Sequence, residues 1–404
     1  MGDLEASALI ALPDPWWKIG MEIEKYQRLI SEMEKKGANS ENTALLWMEV
    51  ATRKDQYRVL TGNTYYPILD APRSEKYALG KLFLHLRGFS WGKKKGWIGQ
   101  TKTMLRPELQ PLEAEASAYQ GIKIGKTLIP GGKKTDFFTY VEEFDLRGVG
   151  CDGNLPAYVG DLTKCKFLNM NWNLLKGQLP RELRCLESLT SLNLSGNQLT
   201  GSLDPESFEC LVALKTLDLS FNLLDGSIPD VFNHMKKLSM LNLSGNRLTG
   251  CVPESLSCLR GLEILKLNGN MLTGEIPDSF TCLTHLVEVN LSQNQLTKGI
   301  YLTLLTHTLT HPLTYSSTID TGISSFNNCK RLKKLSLNDN VLVNHLDPFI
   351  SSLQSLELLY LHNNQLHGTL PKEFFMLSQL RYLNLSNNKL LGTIGKSLTS
   401  PLPT

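Results

Sequence analysis

The decapeptide LNLSGNQLTG, Leu192 to Gly201, returns as LNLSGNRLTG, Leu241 to Gly250, with one residue changed. A catalytic site is normally built once in a domain, whereas a near-identical second copy is typical of a stacking unit. Aligned on its Asn, the segment has equivalents at Asn173, Asn197, Asn222, Asn246, Asn270, Asn294, Asn340, Asn364 and Asn388. The steps are 24 residues, except for one of 25 and one of 46. The sequence therefore predicts a repeat array.

Each position of the unit, LxxLxLxxNxLxGxIPxxLxxL, has a physical role. Leu residues at alternate positions, such as Leu217 and Leu219, bury one face of a short strand. The Asn follows at the bend, where its amide can serve backbone groups that have no ladder partner. Gly then permits a tight turn, and Pro fixes the return segment. Because one unit cannot bury its own apolar edge, we expect a curved solenoid with parallel strands on the concave side.

Two units of the array are imperfect. Upstream, VEEFDLRGVGCDGNLP places Phe144 and Leu146 in phase, with Val149 where the Asn belongs. The step of 46 divides into 24 and 22 around Thr318, which indicates a degenerate unit near residues 298–321. An insertion or a sequence error in that stretch is the open alternative. Together with an incomplete last unit, the array has about eleven units.

These repeats resemble leucine-rich repeats, specifically the plant-type subclass with the LxGxIP signature, from Phe144 to about Leu398. The resemblance implies an α/β repeat solenoid, a horseshoe or superhelix with a parallel concave sheet. It also implies that the concave sheet, and sometimes its lateral edge, binds a protein or other ligand. On this basis residues 144–404 are predicted to form the solenoid.

The sequence before the repeats predicts a mainly helical region and a cap. Residues 16–36 place apolar side chains at helical spacing, which favours a helix docked on the cap or a free helix that binds a partner. YALGKLFLHLRG, followed by FSWGKKKGWIG, resembles the N-terminal cap of such arrays. A cap is needed because the first repeat would otherwise expose its apolar edge. We predict a helical extension over 1–73 and a divergent cap over 74–143.

Composition and the N-terminus favour a cytoplasmic protein without membrane insertion. The 42 Lys and Arg against 39 Asp and Glu leave a charge of +3, too slight to indicate a nucleic-acid or membrane partner. MGDLEASALIALPDPWWKIG lacks the basic start of a signal peptide, and no stretch approaches eighteen uncharged apolar residues. The resemblance implies a pair of Cys in the cap of secreted members, yet no Cys precedes Cys151. An extracellular or cell-surface location is the alternative if the natural start differs.

Two segments imitate catalytic or metal motifs. GIKIGKT, Gly121 to Thr127, resembles a phosphate-binding loop, but it has three residues between its glycines where four are required, and LIPGG follows where a helix must begin. HTLTH offers His307 and His311 as a metal pair only if they lie on a helix, and Pro312 follows with no Glu nearby. We therefore predict no enzyme activity, no cofactor and no metal.

Cysteines and glycosylation sequons recur with the repeat. One Cys precedes a Leu at the same position of four units, at Cys185, Cys210, Cys258 and Cys282. Buried free thiols are the favoured interpretation, and a disulfide between adjacent units is the alternative. The Asn-Leu-Ser sequons lie inside predicted strands as repeat consensus and have meaning only if the protein is secreted.

Function is expected where the units depart from the consensus on the concave face. Large aromatic side chains on an exposed sheet are candidate anchors for a partner. The candidate ligand-binding residues are Trp172, Phe221, Lys266, Tyr360, His362 and Tyr382. For Trp172 and Phe221, packing against neighbouring loops is the open alternative, because both directly precede the repeat Asn.

The leading hypothesis is a non-catalytic, cytoplasmic scaffold that binds a protein or peptide ligand on the concave face. A strand spacing of ~4.8 Å gives a sheet roughly 50 Å long. Such a sheet can host one standard interface of ~800 Å² per partner. The alternative is a receptor-like or secreted recognition module whose signal and C-terminal parts are missing from this sequence.

Overall fold

A computed structural model describes residues 122–128, 137–297, 324–346 and 348–392. The chain divides into two units, Met1–Glu142 and Glu143–Thr404. In the first unit the structure describes strand β1 (Ile122–Leu128) and the start of its hydrogen-bonded neighbour β2 (Phe137–Asp145). Most of GIKIGKT therefore lies in a strand. The predicted helical region and most of the predicted cap lie outside the described residues, as does HTLTH.

The second unit contains a sheet of short parallel strands, one from each repeat. They follow the end of β2 in the order β4 (Phe167–Asn169), β6 (Ser191–Asn193), β8 (Thr216–Asp218), β10 (Met240–Asn242), β11 (Ile264–Lys266), β13 (Glu288–Asn290), β15 (Lys334–Ser336), β17 (Leu358–Tyr360) and β19 (Tyr382–Asn384). Equivalent residues are paired throughout, for example Leu217 with Leu241 and Leu241 with Leu265. This register aligns chemically equivalent side chains in rows. The predicted repeat solenoid with a parallel sheet is confirmed.

Further strands and 3-10 helices complete each repeat. The strands are β3 (Asp152–Asn154), β5 (Leu174–Gly177), β7 (Gln198–Ser202), β9 (Leu223–Asp225), β12 (Thr273–Gly274), β14 (Gln295–Leu296), β16 (Val343–His345), β18 (Gln365–Thr369) and β20 (Lys389–Leu391). The helices are Ala157–Asp161, Arg181–Cys185, Pro205–Ser207, Asp230–His234, Glu254–Cys258, Asp278–Cys282, Ser324–Phe326, Pro348–Ser352 and Lys372–Met376. A Pro at the N-cap of several helices, such as Pro180 with φ of −72°, orients the return segment without needing a backbone donor.

The core lies between the main sheet and the 3-10 helices. Leu pairs such as Leu217 and Leu219 are fully buried, as are the Phe side chains that the helices direct inward. The rings of Phe280 and Phe326 lie 6.1 Å apart in consecutive units of the stack. Stacking thus buries apolar edges that a single unit would expose.

The repeat Asn residues form a ladder that serves the backbone bends. Asn246 Nδ2 donates to the carbonyls of Leu219 and Leu243, each at 3.0 Å, and its Oδ1 accepts from Leu224 N at 3.1 Å. Asn246 therefore ties its own unit to the preceding one. The predicted role of the Asn at the bend is confirmed.

The ladder passes directly from Asn294 to Asn340. Strand β13 pairs with β15, and Asn340 Nδ2 donates to Leu291 O at 3.0 Å. The degenerate unit predicted near 298–321 lies outside the described residues, and this pairing leaves no place for a strand of it between β13 and β15.

The prediction that the four-unit Cys column is buried is wrong. Cys185, Cys258 and Cys282 are exposed, and Cys210 is half-buried. Cys185, Cys258 and Cys282 are the last residues of their 3-10 helices, and each following Leu takes the buried position instead. All eight Cys residues of the chain fall in the described range and are free thiols.

In the part of the chain that the structure describes, no helix is long and apolar enough to cross a membrane.

Candidate ligand-binding surface

The solvent-facing side of the main sheet, called the concave face here, carries two rows of side chains. Side chains alternate across a strand, so the residues on either side of each buried Leu or Val face outward. The first row is Glu143, Phe167, Ser191, Thr216, Met240, Ile264, Glu288, Lys334, Leu358 and Tyr382. The second row is Asp145, Asn169, Asn193, Asp218, Asn242, Lys266, Asn290, Ser336, Tyr360 and Asn384. A ligand on this sheet would meet these rows first.

Most Asn side chains of the second row are held by their own unit. Ser195 donates to Asn193 Oδ1 from both its backbone N, at 3.0 Å, and its Oγ, at 2.8 Å. The same pair of bonds occurs at Asn242, Asn290 and Asn384. Because the oxygen is occupied, the amide nitrogen is the group left for other partners, and at Asn242 that nitrogen donates to Asp218. These positions form a regular polar framework.

Tyr360, Tyr382 and His362 form a cluster on the last strands of the sheet. The rings of Tyr360 and Tyr382 are 5.0 Å apart, and those of Tyr360 and His362 are 6.4 Å apart. Tyr382 is 46% exposed, whereas Tyr360 and His362 are half-buried. His362 Nε2 lies 4.0 Å from Asp339 Oδ2. His362 Nδ1 is buried and has no hydrogen-bond partner within the described part of the chain.

Lys266 belongs to a charged trio with Glu288 and Lys334. The Glu288 carboxylate lies 3.2 Å from Lys266 Nζ and 3.1 Å from Lys334 Nζ. Burial alone raises the pKa of Glu288, but the hydrogen bonds and charges of the two lysines outweigh it and hold that pKa below its usual value. The trio therefore carries a net charge of +1 beside the tyrosine cluster.

Trp172 and Phe221 form a second aromatic group away from the tyrosines. Their side chains are 65% and 56% exposed, and the rings are stacked at 6.3 Å with 23° between their planes. They contact each other without being covered. Phe221 follows β8 and Tyr360 lies on β17, so five strand spacings, about 24 Å, separate the two groups. Five of the six predicted residues thus form two aromatic groups, and Lys266 lies on a strand between them, in the charged trio.

Glu288, Lys334 and Asp339 were missed in the sequence reading of this surface. Glu288 and Lys334 are 46 residues apart, and they are neighbours only because β13 pairs directly with β15. The available signal was that Glu288 and Lys334 each place a charge in the first row of their units. It could not be used while another unit was expected between them.

Comparison with protein families supports the repeat assignment directly. A family model described as Leucine rich repeat matches residues 200–248 and 330–390, and a second of the same description matches 188–211 and 261–283. The chain carries a plant-type leucine-rich-repeat array. No match was found among curated protein sequences.

Three solved structures illustrate the similarity of this leucine-rich-repeat chain to plant proteins. A plant ice-binding protein is 25% identical, with 80% of this chain and 88% of that chain covered and a TM-score of 0.59. The PEPR1-AtPEP1 structure is 23% identical, with 79% of this chain and 42% of that chain covered and a TM-score of 0.54. The ectodomain of the Arabidopsis receptor kinase HAESA, in complex with an IDA peptide hormone ligand, is 24% identical. In that comparison 80% of this chain and 50% of that chain are covered, and the TM-score is 0.52. The chain thus spans half or less of the PEPR1-AtPEP1 and HAESA chains, with which it shares the fold.

Proposed function

We propose that this leucine-rich-repeat chain is a non-catalytic recognition module that binds a protein or peptide ligand on the concave face. The observation that supports the proposal is the Tyr360–Tyr382 ring pair, in which Tyr360 is the one aromatic residue of a second row that is otherwise mostly Asn and Asp. His362 and Lys266 complete the proposed contact region. The fold shared with the HAESA ectodomain, which is in complex with a peptide hormone in its solved structure, adds support.

The tyrosine pair has the properties of an interface anchor. Tyr combines a large apolar ring with a hydroxyl group and loses little conformational entropy when a ligand covers it. A few such aromatic residues commonly contribute most of the binding energy of an interface. The rings already contact each other, so a ligand would meet a preorganised surface.

The charged trio would act beside this anchor by orienting the ligand. Lys266 and Lys334 share one carboxylate, so each ammonium retains donors that an acidic ligand group can use. Charges at the margin of an interface contribute to specificity and association rate more than to affinity. We therefore expect a ligand with an acidic group near the residue that covers the tyrosines.

We propose an extracellular location, the alternative that receptor ectodomains of the same fold favour over the cytoplasmic one. A secreted chain would pass through the glycosylation machinery with four Asn-Leu-Ser sequons, at Asn193, Asn242, Asn290 and Asn384. Treating the native protein with a glycosidase specific for Asn-linked glycans would lower its mass if it is secreted. An unchanged mass would favour the cytoplasm, provided that the same enzyme preparation removes the glycans of a denatured control glycoprotein.

Ligand binding is tested with a matched pair of variants. The intact chain, the Tyr360→Ala/Tyr382→Ala double variant and Phe167→Ala are each immobilised and exposed to a displayed peptide library. Phe167 is the control because it occupies the same row as Tyr382 and is also 46% exposed, but lies at the other end of the sheet. We expect selected peptides to bind the double variant at least about 30-fold more weakly, since lost hot-spot contacts cost ~2 kcal/mol or more. Equal binding by all three proteins would remove the tyrosine pair from the site.

A second candidate function is ice binding, and one comparison favours it. The plant ice-binding protein is covered over 88% of its length, more than the PEPR1-AtPEP1 or HAESA chain. The framework Asn residues also repeat at the strand spacing, as a surface that matches a lattice would require. Thermal hysteresis of the purified chain decides between the two functions. A freezing point depressed below the melting point would support ice binding, and its absence would leave the recognition module as the proposal.

A further inference from the structure

The residue directly before each ladder Asn has left-handed backbone geometry. In the described units this third row is Gly148, Trp172, Gly196, Phe221, Gly245, Gly269, Gln293, Asp339, Asn363 and Asn387, with φ between 52° and 66°. Gly, Asn and Asp tolerate this region, whereas a bulky side chain is strained there. Trp172 and Phe221 are therefore the two aromatic exceptions in a row that elsewhere uses Gly or polar side chains.

Neighbouring glycines make room for these two rings. A Cβ at Gly196 would lie 2.7 Å from the Trp172 indole, and a Cβ at Gly245 would lie 2.8 Å from the Phe221 ring. Each ring therefore extends over the backbone of the next unit. More than half of each side chain nevertheless stays in contact with water. The backbone strain is offset by little burial, which points to a role other than stability.

The concave face beside these rings carries few charges and is rich in amides and hydroxyls. In strands β4, β6, β8 and β10 the first and second rows carry one charged side chain, Asp218, and both of its oxygens accept hydrogen bonds, from Ser220 and Asn242. Thr216 Oγ1 donates to Ser191 Oγ at 2.7 Å. This half of the sheet differs from the half that carries the lysine–glutamate trio and the tyrosines.

The hydrogen-bonding groups left for a ligand are side-chain amides. The backbone N–H groups of Trp172, Gly196 and Phe221 all donate to carbonyls of the following unit, at 2.8 to 2.9 Å. A peptide that adds as a strand needs free backbone groups, and this row has none to donate at those positions. Asn169 Oδ1 accepts from Asn171 N at 3.3 Å, so the Asn169 amide nitrogen is left as a donor to a ligand oxygen.

From these observations we infer a second site, which binds a neutral saccharide on Trp172 and Phe221. A pyranose ring has an apolar C–H face and a rim of hydroxyl oxygens. The C–H face would stack on the two aromatic rings, and the hydroxyl oxygens would accept from amide nitrogens such as that of Asn169. A charged glycan or a nucleic acid would lack complementary charge on this surface. The site is separate from the tyrosine cluster and does not depend on the peptide proposal.

The test uses the residue that other units carry at the same position. The intact chain and the Trp172→Gly/Phe221→Gly variant are titrated calorimetrically with a panel of neutral gluco-, xylo- and manno-oligosaccharides. Removing aromatic side chains that a ligand covers commonly costs ~2 kcal/mol or more, so we expect a loss of at least about 10-fold in affinity. Gly196→Ala, which displaces the indole without removing it, should also weaken binding. Tyr360→Ala/Tyr382→Ala is the matched control and should bind the saccharide normally.

Three results would overturn the inference. One is that no member of the panel binds the intact chain, and another is that the glycine variant binds as well as the intact chain. The third is a lower thermal midpoint for the Trp172→Gly/Phe221→Gly variant, which would show that the rings serve the solenoid. Loss of peptide binding in the tyrosine variant with saccharide binding intact would separate this site from the first one.

Discussion

Asn173 occupies a position in the ladder where more backbone depends on one side chain than in later units. Its Oδ1 accepts from Val149 N at 3.1 Å and from Gly150 N and Cys151 N, both at 2.9 Å. Asn246 accepts from a single backbone N–H, that of Leu224. The first unit has Val149 in place of its own Asn, and Asn173 serves the bend around it. We predict that Asn173→Ala destabilises the chain more than Asn246→Ala.

The size of the difference follows from the groups that each change leaves without a partner. After Asn246→Ala, the carbonyls of Leu219 and Leu243 still accept from Asn222 and Asn270, so Leu224 N is the main orphan. One buried orphan costs about 1–3 kcal/mol. After Asn173→Ala, three N–H groups lose their acceptor, two of them on buried residues. We expect Asn173→Ala to cost about 3–5 kcal/mol.

Urea unfolding of the two variants measures this difference, and hydrogen exchange of the segment 149–151 locates it. Repeat arrays can open from one end, so the exchange readout guards against a transition that is not two-state. Asn173→Asp keeps an acceptor but loses the donors to Leu146 and Met170, and should fall between the wild type and Asn173→Ala. An Asn173→Ala chain that is as stable as the Asn246→Ala chain, with slow exchange at 149–151, would contradict the predicted role of Asn173.

Three further predictions follow from charge, burial and register. Glu288→Gln should lower the free energy of unfolding in urea slightly at neutral pH, by less than about 1 kcal/mol because the trio is partly exposed. Since the folded pKa of Glu288 lies below 4.5, this difference should be present above pH 4.5 and disappear as the pH falls through the lower folded value. Burial raises the pKa of the Cys151 and Cys329 thiols to about 12, so iodoacetamide should spare both in the native protein and label the exposed thiols, as peptide mass spectrometry would show; rapid labelling of Cys151 would contradict the predicted burial. Deleting residues 301–322 shortens the step of 46 to 24, so the variant should keep the wild-type urea midpoint, and a large loss would contradict the direct pairing of β13 with β15.

The repeating part of the fold could be predicted from sequence because each unit has the same pattern of Leu, Asn, Gly and Pro residues. Leu217 and Leu219 alternate with polar residues, which fixes a short half-buried strand, and the Asn after them has one role available at a bend. Errors arose where a position has no apolar or conformational requirement. Cys185 is such a position, because the turn needs only the following Leu186 to be buried.

The surface was harder to predict than the core because neighbours in space are set by register. Tyr360 and Tyr382 could be paired from sequence, since one regular step places them on consecutive strands. The partners of Lys266 could not, because the sequence predicted a further unit within the 46 residues that separate Glu288 from Lys334. Regular repeat spacing thus predicts which residues share a row of the sheet. Where the spacing is irregular, it does not predict which residues are neighbours on adjacent strands.

Strain separates the two aromatic groups of the concave face. Tyr382 occupies an ordinary strand position, and single exposed aromatic side chains are common on protein surfaces. Trp172 and Phe221 occupy positions where Gly is better tolerated. The rings fit because Gly196 and Gly245 have no Cβ to clash with them. Replacing either ring by Gly should therefore leave stability equal or higher while removing a binding surface. At positions 172 and 221 the residue that suits the backbone, Gly, differs from the aromatic residue that is present. Such a difference indicates selection for binding, not for folding.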